Sequence, residues 1–75
     1  MNITVLFFGV IADVAQTNIK HYRNVTSFGD LRLRIEDDFP ALIHNNYRIS
    51  LNWKIITDEP YLQDGDEVAL LPPVT

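Results

Sequence analysis

The sequence contains no cysteine. A disulfide framework, a thiolate metal site and a cysteine nucleophile are therefore excluded, and in a domain this small the absence points to the cytoplasm. Cations are scarce too: six Lys and Arg stand against ten Asp and Glu, a formal net charge of −4. Gripping a nucleic-acid backbone takes clustered Lys and Arg, so the balance argues against nucleic acid and favours a basic partner surface. No apolar run approaches the length of a membrane span, and the start Met1-Asn2-Ile3-Thr4-Val5 lacks the basic region and cleavage site of a secretory signal. The chain is expected to be cytoplasmic, with neither a membrane nor a nucleic acid as partner.

Catalytic hardware is equally sparse. His21 and His44 are isolated, and His21 sits in a polar segment, so both are expected to be solvated side chains. Asp37-Asp38 and Asp58-Glu59 lack the loop spacing of a calcium site. Ser27 and Ser50 have no histidine placed to activate them. Asp64-Gly65-Asp66 is a turn and not a phosphate cradle, which needs several glycines opening a helix. The chain is expected to have no active site of its own, no bound cofactor and no metal.

What is present is a short, foldable chain. Seventy-five residues make one domain, 1–75, and 47% hydrophobic with 21% charged residues fits a packed protein and not a disordered one. Residues 3–9 are β-branched and aromatic up to Gly9 and predict a first strand. Polar Thr4 sets its register: Ile3, Val5 and Phe7 face the core, and Leu6 and Phe8 share the outer face with Thr4. Residues 10–16 form an irregular or short helical connection, and the more polar 18–25 predict an edge strand. Ser27 has the spacing of a helix N-cap, with Asp30 in the first turn; Phe28, Leu31, Ile35 and Phe39 make one apolar stripe that Pro40 ends. Leu33 falls off that stripe. A loop through His44-Asn45-Asn46 leads to a strand over 47–52, with Ile49 and Leu51 inward and Arg48 and Ser50 outward.

Asn52-Trp53-Lys54 reads as a turn into Ile55-Ile56, and Asp58-Glu59-Pro60 as a breaker. Asp64-Gly65 turns the chain into a last strand over 66–71, with Val68 and Leu70 inward and Ala69 and Leu71 outward. The order strand, strand, helix, strand, short strand, strand predicts an α+β, ubiquitin-like β-grasp: a mixed sheet covered on one face by one main helix, its other face open. That open face carries Leu6, Phe8, Ile55, Ala69 and Leu71, an exposed apolar patch of the kind that marks a protein interface. Pro72-Pro73 ends sheet pairing and stiffens the exit into the arm Pro72, Pro73, Val74 and Thr75. The residues after Pro73 are expected to be mobile in the free protein and ordered in a partner's groove.

Leu6-Phe7-Phe8-Gly9, the Leu31…Ile35…Phe39-Pro40 helix, Leu51-Asn52 and above all the stretch from Asp64 to Thr75, with its Leu-Leu-Pro-Pro-Val-Thr ending, resemble the molybdopterin synthase small subunit, the MoaD family. The resemblance covers the whole chain; the last twelve residues are its specific part, and the rest is shared with the thiamine sulfur carrier ThiS. It implies a sulfur carrier with no catalytic groups of its own. Family members end in Gly-Gly directly after Pro-Pro-Val-Xaa, an activating enzyme adenylates the terminal carboxylate, and a thiocarboxylate follows. The tail then enters the large synthase subunit, in a heterotetramer, and its sulfur builds the dithiolene of molybdopterin. Paired glycines suit a narrow tunnel because they carry no side chain. Here Thr75 is the last residue; the glycine pair is expected to follow it in the gene product, the alternative being a protein that is no longer a sulfur donor. A ThiS-like carrier for thiamine synthesis and a ubiquitin-like interaction module without sulfur chemistry are the alternatives.

Overall fold

The computed structural model describes residues 1–73. Its elements in chain order are β1 (Ile3–Phe7), α1 (Gly9–Ala15), β2 (Ile19–Tyr22), α2 (Phe28–Asp38), a short 3-10 helix (Pro40–His44), β3 (Arg48–Leu51), β4 (Lys54–Ile55) and β5 (Glu67–Leu71). The strands form one sheet in the order β2-β1-β5-β3-β4. β1 and β5 pair in parallel at its centre, and every other pair is antiparallel. This is the expected mixed sheet of a β-grasp, with α2 across its inner face.

The inner face follows from strand alternation. Ile3, Val5 and Phe7 of β1 and Val68 and Leu70 of β5 are all at most 2% exposed. Leu31 and Ile35 of α2 close over them, Phe28 is buried at the start of the same helix, and Ile49 and Leu51 of β3 pack at the margin. α2 starts where its cap is built: Ser27 Oγ accepts the Asp30 amide at 3.0 Å, and the Asp30 carboxylate accepts the Thr26 amide at 3.0 Å. That second bond, aided by the Arg34 guanidinium, holds the Asp30 carboxyl below the usual carboxylate range. The helix ends at Asp38, one residue before Phe39, whose ring meets Phe7 edge to face at 5.1 Å.

Two segments depart from expectation. Pro40 does not only stop α2; it opens a 3-10 turn, as proline does at a first helical position, and the turn plants Leu42 in the core with no exposed surface. The polar edge strand β2 also contributes inward: Tyr22 is buried, and its hydroxyl donates to Asp38 Oδ2 at 2.8 Å. Burial first, and then the bond to Asp38, push its phenol far above the ordinary value. The connection after β1 is helical, with Ile11 and Ala15, four residues apart, facing the core.

Candidate functional site

Cross-strand register assembles the outer face of the sheet. Leu6 lies opposite Ile19 on one side and Ala69 on the other, Ala69 opposite Ser50, and Ser50 opposite Ile55. Five side chains from five strands thus form one row across the sheet. A second row lies towards the C-terminal end of β5, where Leu71 pairs with Arg48 and Phe8 follows the Phe7–Leu70 pair, its amide donating to Leu70 O at 3.1 Å. At the opposite end of β1, Thr4 lies between His21, 3.1 Å from its hydroxyl, and Glu67. The face is therefore polar where β5 begins, and where β5 ends it carries Leu71 and Phe8 with Arg48 beside Leu71.

On this face the large side chains are the exposed ones and the small ones are covered. Phe8 is 37% exposed, Ile19 47% and Ile55 50%, while Leu6 and Leu71 are half-buried. Ala69 and Ser50, expected to be exposed, are each only 2% exposed. Both do point outward by register. They are covered because larger neighbours flank them and because two aromatic rings meet above the middle strands. Phe8, on β1, and Trp53, in the β3–β4 turn, stack edge to face with centroids 6.1 Å apart. β5 and β3 lie between the segments that carry them, so rings this close must arch over those two strands. Of the expected patch, Leu6, Phe8, Ile55 and Leu71 form the accessible surface with Ala69 beneath it. Ile19 and Trp53 extend it; the sequence pattern did not single out either.

The exit of the tail is built with equal care. Gly9 adopts φ +55, and a Cβ there would come within 3.1 Å of Pro72 Cγ. Glycine at this position lets Pro72 lie against the turn that follows β1, which fixes where the chain leaves the sheet. Pro72 is half-buried and Pro73 exposed. Val74 and Thr75, expected to continue the arm, lie outside the described residues. At the other end of β5, Asn52 clamps the strand's start: its Nδ2 donates to Asp66 Oδ1 and its Oδ1 accepts the Glu67 amide, both at 3.0 Å. The central strand is thus tied at its beginning and aimed at its end.

Among the described residues no three His, Asp or Glu side chains stand together as a metal set, and no helix is long and apolar enough to cross a membrane.

Similar folds occur in solved structures that span the whole domain. A chain of the Helicobacter pylori complex of subunits 1 and 2 of the molybdopterin-converting factor is 26% identical, with a TM-score of 0.78 over 100% of this chain and 97% of that one. A Pyrococcus furiosus protein described as subunit 1 of a molybdopterin converting factor superposes with a TM-score of 0.86 at 19% identity, over 99% of each chain. Small archaeal modifier protein 1 from Methanosarcina acetivorans gives 0.83 at 23% identity, over 99% of this chain and 94% of that one. A search of curated proteins finds no significant match. The ThiS family model matches residues 5–75, nearly the entire sequence. This match, carried on a β-grasp sheet, establishes that the chain belongs to the ThiS family of MoaD/ThiS-type sulfur carriers.

Proposed function

We propose that this chain is the sulfur-carrying small subunit of a molybdopterin synthase and acts in molybdenum cofactor biosynthesis. The observation that carries the reading is the exit of β5. The central strand ends at Leu71, on the outer face, and passes directly into Pro72-Pro73. A partner that receives the arm therefore also meets Phe8 and Leu71. The 26% identity to a chain of a subunit 1 and 2 complex favours the molybdopterin branch over the thiamine one.

On this reading the chain is a co-substrate and not a catalyst. A terminal carboxylate on a Gly-Gly pair after Thr75 is adenylated by an activating enzyme and converted to a thiocarboxylate. Leu6, Phe8, Ile55 and Leu71 dock on the large subunit, over buried Ala69, while Pro72, Pro73, Val74 and Thr75 lead the sulfur into its active site. The large subunit supplies the basic and nucleophilic groups. Fixed proline φ angles limit the entropy lost when the arm is ordered.

The test is a reconstituted synthase assay with cyclic pyranopterin monophosphate and the large subunit. The chain extended by Gly-Gly and carrying the thiocarboxylate should yield molybdopterin. The 75-residue form should bind and yield none. Turnover by the 75-residue form alone would overturn the mechanism. Transfer to a thiazole-forming synthase, with none to pyranopterin, would keep the carrier and sink the molybdopterin branch.

A further inference from the structure

Trp53 sits where its residue type is least expected. Leu51 pairs with Lys54, so the β3–β4 hairpin closes through two residues, Asn52 and Trp53, at φ 48 and φ 70. Both are in the left-handed region. Turns of this kind favour Asn followed by Gly, because glycine alone adopts the second position without a steric penalty. A bulky side chain there is an outlier, and such outliers persist where function requires them. Packing within the fold gives little reason to keep a tryptophan: Trp53 remains 66% exposed, and the ring it contacts, Phe8, is itself 37% exposed.

We infer that Trp53 is a docking residue for the molybdopterin synthase large subunit, the far anchor of a contact whose near end is the tail exit. The inference rests on the function proposed above and adds a residue that this reading did not need. Continuity of the surface commits it to that partner. β5 ends at Leu71, beside Phe8, and passes there into Pro72 and Pro73. A protein that receives the arm from its root at Pro72 meets the face from which it leaves. The Phe8 ring lies on that face and touches the Trp53 ring, so the root of the arm at Leu71, Phe8 and Trp53 share one face of the sheet. Large, rigid aromatic side chains are the groups that dominate interface energetics when their exposed area is desolvated.

The chain holds one tryptophan, so its emission reports this site directly. Titrating the unmodified protein with the molybdopterin-converting factor subunit 2 of the same organism should shift the emission to the blue as the indole loses water. Calorimetry in parallel should give the affinity. Trp53→Gly, which suits the turn better than tryptophan does, should keep the thermal midpoint and weaken binding on the order of 30-fold. Binding seen by calorimetry with an unshifted emission would overturn the inference while leaving the proposed function standing. So would a Trp53→Gly chain that binds as tightly as its parent. No binding by the parent at all would sink the proposed function and the inference with it. An emission shift that depends only on the protein's own concentration would assign the face to a second copy of this chain and overturn the inference.

Discussion

On the inner face of the sheet Phe7 and Leu70 are each at most 2% exposed, whereas on the outer face of the same strands Phe8 is 37% exposed and Leu71 is half-buried. Adjacent residues on adjacent strands are thus put to opposite uses. Inside, large apolar side chains interlock with α2 and the 3-10 helix, and their area leaves water when the chain folds. Outside, large side chains stay in water, small ones are hidden beneath them, and a tryptophan occupies a turn position suited to glycine. The inner face maximises the stability of a domain too small to bury much surface. The outer face departs from that optimum, as expected of a surface whose burial is completed by a partner.

The contrast is sharpest for substitutions that shrink a side chain. Leu70→Ala on the inner face removes a fully buried side chain from the central strand and should destabilise the protein by about 2–5 kcal/mol, read by chemical denaturation. A loss below about 1 kcal/mol would mean that the inner face is not the core. Ser50→Ala on the outer face should act in the other direction. Its Oγ is buried with no hydrogen-bond partner among the described residues, so deleting it removes an unpaired hydroxyl and leaves the methyl group in place. The expected change is between zero and about 1 kcal/mol of added stability. A clear destabilisation would show that the hydroxyl is paired and that the aromatic cover over it is not apolar.

Much of the inner face was legible because alternation along a strand is a local property. Thr4 was enough to orient Ile3, Val5 and Phe7, and Ser27 with Asp30 was enough to start α2. The direction of Ala69 and Ser50 was legible for the same reason, but their burial was not. It depends on Phe8 and Trp53 meeting across two intervening strands, a contact between residues 45 positions apart in the sequence. Trp53 was legible as part of a turn; its ring direction follows from a positive φ that no residue type at that position announces. Leu42 was hidden by its setting, since a proline after a helix reads as a stop and here also starts the next turn. Ile19 was obscured by the polar residues around it, although its pairing with Leu6 places it on the outer face. Gly9 could be read as the end of a strand, and only the packed Pro72 explains why glycine stands there.

The central claim is that the outer face and the tail form one docking surface. Calorimetric titration of the parent, Phe8→Lys and Leu71→Lys chains into the molybdopterin-converting factor subunit 2 tests it directly. Both side chains lie on the outer face, so thermal midpoints should stay close to the parent's, while a charge placed in a desolvated contact should weaken each complex by about 2 kcal/mol or more, roughly 30-fold. If both variants bind as tightly as the parent, the outer face is not the docking surface and the account of its design is wrong.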